Sequence, residues 1–178
     1  MGTRHLVAVQ KNNEYRVAQY GQWDGYPSGQ GLTVLEFLRS VDLKHFGLKV
    51  QSAQWIDEDQ LLQLWETAGA PKGSAFVPMP VSDKFNELYP HLHRNCGAEV
   101  LEYVLGAPQG IQLTNSIDFA EDALFCEWAY VIDLDNKKLE VYSGTGEDNE
   151  RFPRLKLHRS WKLSALPDDK DFLKELDG

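Results

Sequence analysis

The sequence has 178 residues, of which 42% are hydrophobic and 25% charged, and 18 basic against 27 acidic side chains give a formal net charge of −9. This composition is typical of a globular protein and excludes a disordered chain. It also argues against nucleic acid or an anionic membrane as the main partner, because both require concentrated Lys and Arg. The length favours one domain that covers residues 1–178.

Two further features of the sequence concern where the protein resides. No apolar run is long enough for a transmembrane helix, and the first residues show no signal-peptide pattern. The two cysteines, Cys96 and Cys126, are thirty residues apart and cannot form a disulfide framework or a Cys-based zinc site. We therefore expect a reduced, cytoplasmic protein.

In chain order, the first predicted elements are a β-hairpin and a helix. Residues 6–10 form an apolar run and residues 15–20 alternate, with an Asn-containing turn between them. The glycine-rich segment GQWDGYPSGQG, residues 21–31, follows the hairpin. Thr33 then precedes an apolar helical face with Glu36 at the capping-box spacing, so we predict that Thr33 caps this helix.

Three further helices are predicted in the middle of the chain. Residues 57–69 carry an apolar stripe that begins at a capping Asp and ends at a Gly. Prolines and a glycine predict a surface loop at residues 70–82. Two shorter helices are predicted after it, at residues 82–90 and at residues 95–106, the second with Asn95 as its cap.

The β pattern returns in the last third of the sequence. Residues 128–142 alternate around an Asp-Asn turn at residues 135–136 and predict a second hairpin. A polar loop at residues 144–150, a strand at residues 154–163 and a helix at residues 168–176, capped by Asp168 or Asp169, complete the chain.

The order of these elements decides the fold class. Strands gather at the two ends of the chain, helices lie between them, and the strands are joined as hairpins. This arrangement predicts an α+β fold, with a mainly antiparallel sheet from the N- and C-terminal hairpins packed against a central set of helices. Alternating β-α-β units are absent from the pattern, which argues against a doubly wound nucleotide-binding fold.

The glycine-rich segment is the first candidate site. Its glycines precede a helix but no Lys follows them, so a phosphate-binding loop is disfavoured. The glycines and Pro27 are explained by a tight turn. The turn does not explain the large amphipathic and hydrogen-bonding side chains of the segment, which are Gln22, Trp23, Asp24, Tyr26 and Gln30. Such side chains line ligand pockets, and the alternative is a purely structural plug.

The N-terminus offers a second candidate. Thr3 immediately precedes a strand, which is the layout of N-terminal-nucleophile hydrolases, but Met1 and Gly2 would have to be removed to free its amine. Arg4 can clamp an anionic ligand or hold an acid such as Asp24, and a structural salt bridge is the alternative.

Histidine and cysteine side chains suggest two further kinds of site, a metal site and a cysteine nucleophile. His91, His93 and Cys96 form a short cluster, but they lie on a predicted connector without a fourth ligand, so we expect surface histidines and no metal site. Cys126 is expected to be a small buried side chain rather than a nucleophile. Glu127 precedes the strongest predicted strand, and we expect it to face the sheet end where the glycine-rich segment lies.

Together, the segments GTRHLVAV, YRVAQYGQWDGYPSGQGLTVLEFL and NSIDFAEDALFCEWAYVIDLD resemble a family of small proteins from bacteria, phages and fungi. The family is marked by an N-terminal Gly-Thr-Arg, a QWDGYP-x-G-x-G loop and an EWAYV-x-D strand. The resemblance covers about the first forty residues and residues 94–143. It implies no activity, but it implies that one group of residues forms a single signature: Thr3, Arg4, Trp23, Asp24, Gly25, Tyr26, Pro27, Glu127 and Trp128.

Two functional hypotheses follow from these candidates. The first is a hydrolase or transferase of amide-like polar substrates, with Asp24 or Glu127 as general acid/base and Arg4 as anion clamp. The second is a non-catalytic ligand-binding or protein-interaction module that uses the aromatic glycine-rich segment. A minor third hypothesis is an N-terminal nucleophile at Thr3. A small-molecule ligand is one candidate partner, no cofactor is expected, and the sequence does not indicate an oligomeric state.

Overall fold

A computed structural model describes residues 2–73, 76–108, 110–144 and 149–177 of the chain. The strands are β1 (His5–Lys11), β2 (Glu14–Gly21), β3 (Gln54–Trp55), β4 (Gln112–Leu113), β5 (Trp128–Asp133), β6 (Lys138–Gly144) and β7 (Leu155–Lys162). The helices are α1 (Leu32–Ser40), α2 (Leu43–Ser52), α3 (Glu58–Ala68), α4 (Met79–Leu88), α5 (Val100–Gly106) and α6 (Asp169–Leu176). The predicted α+β fold class is confirmed.

A five-stranded sheet in the order β2-β1-β5-β6-β7 joins the two ends of the chain. The pairings within each hairpin are antiparallel, as predicted, and the two hairpins meet through a parallel pairing of β1 with β5. In this register His5 lies between Gly21 on β2 and Trp128 on β5. The residues before β1, after β2 and before β5 therefore meet at one end of the strands. We call this region the His5 end of the sheet.

Both faces of the sheet are covered, which explains why β1 and β5 are apolar on both sides. On one face, Val7 and Tyr130 pack in the main core with side chains of the helices. On the other face, Leu6 and Val131 pack with Phe152 in a smaller core. At the far end of the sheet, Asn12 and Asn13 form the turn of the first hairpin with φ of 56° and 59°.

A buried ion-pair network fixes the segment before β7 against the sheet. Arg151 donates from Nη2 to Asp133 at 2.6 Å and from Nε to Glu140 at 2.7 Å. Its Nη1 donates to Gln10 Oε1 and, at 3.1 Å, to the hydroxyl of Tyr15. The side chain of Asp133 is only 1% exposed, so this carboxylate depends on Arg151 for its compensating charge.

The capping predictions were right for two helices and wrong for two. Asp57 caps α3 through a capping box with Gln60, and Asp168 caps α6. Thr33 does not cap α1, because a π-helical turn (Pro27–Gly31) leads directly into the helix. The hydroxyl of Thr33 instead donates to the Gly29 carbonyl. Asn95 likewise caps no helix, since a 3-10 turn (Gly97–Glu99) leads into α5.

Other differences from the predicted elements lie in the middle of the chain. Helix α4 begins at Met79, inside the loop predicted at residues 70–82, because Pro80 is tolerated in the first turn of a helix. Helix α2 and the β3–β4 pair were not predicted. Residues 74–75 and 145–148, which belong to the two predicted loops, lie outside the described residues. No helix in the described ranges is long and apolar enough to cross a bilayer.

Candidate functional site

The glycine-rich segment 21–31 is held at the His5 end of the sheet by its backbone. Gly25 donates its N–H to the Thr3 carbonyl at 2.9 Å, and Gln30 donates to the Asp24 carbonyl at 2.9 Å. The buried hydroxyl of Tyr130 donates to the Gly25 carbonyl at 2.8 Å. Asp24 adopts a positive φ of 59° within this arrangement. The segment is thus anchored by Thr3, which precedes β1, and by Tyr130 on β5, so its side chains project from a fixed backbone.

His5 lies buried beneath this segment, and glycines surround its ring. A Cβ atom on Gly21 would lie 2.0 Å from His5 Cε1, and one on Gly25 would lie 2.9 Å from Nδ1. A Cβ on Gly97 would lie 3.0 Å from Nε2. Real Cβ atoms do not approach as closely as at Gly21 and Gly25, so His5 is one physical reason for glycine at these two positions. At Gly97 the contact with His5 is only tight, and a positive φ of 54° also favours glycine. The sequence interpretation did not include His5 among the candidate residues.

The environment of His5 disfavours its charged form. The side chain is 0% exposed, and neither ring nitrogen has a well-directed hydrogen-bond partner among the described residues. Burial lowers the pKa of His5 to about 4, against the weaker opposite effect of the Thr3 backbone. His5 is therefore neutral at physiological pH, and its protonation is coupled to the packing of the glycine-rich segment.

We expect the protein to lose stability as the pH falls from 7 to 5, by about 2 kcal/mol from His5 alone. The pKa of His5 is about 4 in the folded state, against an ordinary histidine value of 6.5. Between these values the unfolded chain binds a proton that the folded protein excludes, so acid favours unfolding. The stabilising contribution is present above about pH 6.5 and is lost as the pH falls toward 4.

Urea denaturation at pH 7 and pH 5 measures this effect in the wild type and in a His5→Phe variant. The difference between the two pH values should be smaller in the variant by about 2 kcal/mol. His45→Gln is the control, because the His45 side chain is exposed on α2. An equal pH dependence in the wild type and His5→Phe would contradict the assignment.

A second segment, residues 91–98, forms the other wall of the site. Arg94 Nη2 donates to Gln22 Oε1 at 2.6 Å, and the Ala98 N–H donates to Gln30 Oε1 at 2.7 Å. Gln22, Trp23, Arg94 and Asn95 line a cleft of about 350 Å³, which we call the Trp23 cleft. Two residues that the sequence interpretation did not select, Arg94 and Asn95, therefore contribute half of its lining.

The two aromatic side chains of the glycine-rich segment are exposed. Trp23 is 54% exposed and Tyr26 is 53% exposed. The indole of Trp23 lies against Gly2, since a Cβ on Gly2 would be 2.4 Å from Trp23 Cε3. Arg94 forms no ion pair within the described part of the chain, so its charge is available to a ligand. The cleft combines an aromatic face, two amides and a guanidinium.

The candidate acid/base residues do not converge on the guanidinium of Arg4. Glu127 Oε1 accepts the backbone N–H of Arg4 at 3.2 Å, as expected for a residue at the His5 end. The guanidinium itself lies 4.3 Å from the centre of the Phe125 ring. Asp24 is exposed, and its carboxylate lies close to Gly29, where a Cβ would be 2.5 Å from Oδ1. Thr3 is buried at 4% exposure.

The thiols do not provide a nucleophile at neutral pH. Cys96 and Cys126 are buried and free, and burial raises the pKa of each thiol to about 12. Nearby acidic side chains act in the same direction. No group of three or more His, Cys, Asp or Glu side chains in the described ranges is arranged to hold a metal ion, and this includes His91 and His93.

Neither a family model, a curated protein nor a solved structure matches this chain. The resemblance to the family with the QWDGYP loop therefore stays a prediction.

Proposed function

We propose that the protein is a non-catalytic binding module that recognises a small planar carboxylate in the Trp23 cleft. The observation that carries this proposal is the 54% exposure of Trp23, which lines the cleft, on a segment whose backbone is anchored. Ordering a flexible loop lowers affinity, so a segment that is already fixed can present aromatic side chains at little entropic cost. Trp, Tyr and Arg are also the residue types that dominate binding energy at interfaces.

The lining of the cleft supports the ligand class. The guanidinium of Arg94 can pair with a carboxylate through two parallel hydrogen bonds, and the indole of Trp23 can stack on a planar group. The amides of Gln22 and Asn95 add hydrogen-bonding groups at the rim. A volume of about 350 Å³ lies at the lower end of the range for ligand sites, which favours a ligand with a single ring.

Two alternatives from the sequence stay predictions. A hydrolase or transferase using Asp24 or Glu127 with Arg4 is supported by one contact, from the Arg4 N–H to Glu127. An N-terminal nucleophile at Thr3 requires a chain that begins there, which the intact mass of the purified protein tests. A cytoplasmic location belongs to the proposal and is supported by the two buried free thiols.

We expect Trp23→Ala to weaken binding of benzoate at least about tenfold while changing the free energy of unfolding by less than about 0.5 kcal/mol. The indole is the exposed wall of the cleft, so its loss removes stacking area without opening the core. Amide chemical shifts in a benzoate titration give the dissociation constant, and shifted resonances should come from residues 22–26 and 94–98.

Leu62→Ala is the control for the loss of an exposed apolar side chain, since Leu62 is 56% exposed on α3 and does not line the cleft. Arg94→Gln removes the charge but keeps a hydrogen-bonding group, and it should weaken benzoate more than benzyl alcohol. Unchanged benzoate binding in both Trp23→Ala and Arg94→Gln would refute the proposal.

A further inference from the structure

A larger cavity lies between helices α3 and α5 and strand β4, and it shares no lining residue with the Trp23 cleft. Its volume is about 600 Å³, within the range of small-molecule sites. The side chains that give it its chemical character are Leu64, Tyr89, His91, Glu102, Tyr103 and Ile111. We call it the aromatic cavity. It is independent of the proposed function, which concerns the His5 end of the sheet.

Three rings contribute to the wall of the aromatic cavity. The ring centres of His91 and Tyr103 are 6.3 Å apart at an interplanar angle of 55°, so the two rings are tilted toward each other. Tyr89 is held by a contact with Phe85, with ring centres 5.2 Å apart. The faces of such rings carry partial negative charge and attract cations, most strongly where several rings converge.

The side chains that line the cavity are acidic or uncharged, and one basic side chain contacts its backbone. Among the lining residues that the structure describes, Glu102 is the one acidic side chain and there is no Lys or Arg. Burial lowers the pKa of His91, so this ring adds no positive charge at neutral pH. One ammonium contacts the wall, that of Lys49, and it donates a hydrogen bond to the backbone carbonyl of Ala107.

We propose that the aromatic cavity binds an organic cation with an apolar body, such as an alkyl- or aryl-ammonium compound. The tyrosine and imidazole faces surround the cationic group, and the carboxylate of Glu102 supplies the opposite charge. Leu64 and Ile111 provide apolar surface for the rest of the ligand. The formal net charge of −9 also raises the local concentration of cations over anions.

The test is an amide chemical-shift titration with three probes that share one ring: benzyltrimethylammonium, benzyl alcohol and benzoate. We expect the ammonium compound to shift resonances of residues 89–91 and 102–112 and to bind at least about fivefold more tightly than benzyl alcohol. Equal affinity for these two probes would overturn the proposal, because it would show apolar binding without selection for charge. Absence of shifts in these residues would also overturn it.

Single substitutions separate the contribution of the Glu102 carboxylate to ligand binding from that of the Tyr103 ring. Glu102→Gln should weaken the ammonium compound about fivefold, whereas Glu87→Gln, an exposed acid on α4 that does not line the cavity, should leave it unchanged. Tyr103→Leu should weaken it about tenfold through loss of a ring face. Circular dichroism confirms that each variant is folded.

Trp23→Ala is the cross-control between the two sites. It should leave binding of the ammonium compound unchanged, and Glu102→Gln should leave binding of benzoate unchanged. Failure of benzoate binding alone would count against the proposed function, and failure of ammonium selectivity alone would count against the aromatic cavity. Loss of ammonium binding in Trp23→Ala would place that ligand at the Trp23 cleft and overturn the proposal.

Discussion

Replacement of Arg151 by Met is expected to lower the free energy of unfolding by about 3 to 5 kcal/mol. Met keeps much of the side-chain volume but removes every donor, so the substitution isolates the loss of charge and hydrogen bonds. Asp133, with 1% side-chain exposure, and Glu140, with 13%, would be left without the compensating guanidinium. An unpaired buried charge costs far more than the pair contributes, which is why the expected loss is large.

The pKa of Asp133 gives a second readout of the same network. Burial raises this pKa, but hydrogen bonds from Asn136 and Arg151 outweigh it and hold the pKa below its ordinary value. Because the pKa is lower in the folded protein, ionised Asp133 stabilises the fold at pH values above the pKa of an Asp in the unfolded chain. This stabilisation is lost as the pH falls through the pKa of Asp133 in the folded protein. Loss of Arg151 should therefore raise the pKa of Asp133, as measured by carboxyl carbon shifts in a pH titration.

Urea denaturation of Arg151→Met and the wild type measures the stability difference at constant m-value. Arg154→Met is the matched control, since Arg154 is exposed and donates only a long hydrogen bond, of 3.4 Å, to the Glu121 carbonyl among the described residues. We expect less than about 0.5 kcal/mol for this control. A similar small effect for Arg151→Met would show that the network is not required for stability.

Gly21→Ala is expected to cost about 3 kcal/mol or more, because its methyl group would overlap the ring of His5. The three nearest atoms to a Cβ at Gly21 all belong to that ring, at 2.0, 2.3 and 2.8 Å. The ring cannot move away easily, since Gly25 and Gly97 already enclose its other sides. The backbone of Gly21 has no positive φ, so the cost comes from the collision.

A double-mutant cycle with His5→Ala tests this explanation. If the clash with the ring is the cause, His5→Ala combined with Gly21→Ala should be more stable than Gly21→Ala alone, even though His5→Ala is itself destabilising. Gly47→Ala on α2 is the control, because a Cβ there has only Lys11 Cε at 3.9 Å and alanine favours a helix. If the two effects simply add, another contact must explain the loss.

The sequence predicted those parts of the fold that depend on neighbouring residues. The Asp57 cap acts within one helical turn, and the Asn12–Asn13 turn joins adjacent strands, so both follow from local chemistry. Helix α2 was missed because Gly47 lowers its intrinsic propensity, and burial of Phe46 against the core compensates for this.

The candidate site was predicted only in part, for a related reason. Trp23 and Tyr26 could be identified as side chains that a simple turn does not require. Arg94 could not, since its contact with Gln22 joins positions 72 apart in sequence. The role of His5 was hidden as well, because its burial depends on Gly21 and Gly97, which the fold brings to it from other segments.

The parallel pairing of β1 with β5 also has a consequence for synthesis of the chain. β1 is a central strand, but β5, its partner on one side, is synthesised much later. Trp128 of β5 pairs with His5 of β1 and follows it by 123 residues. Until the ribosome has released β5, the first hairpin has an open edge of unpaired N–H and C=O groups along apolar residues. Sheet closure over such a separation is slow, so a chain stalled before β5 is expected to depend on chaperones to avoid aggregation.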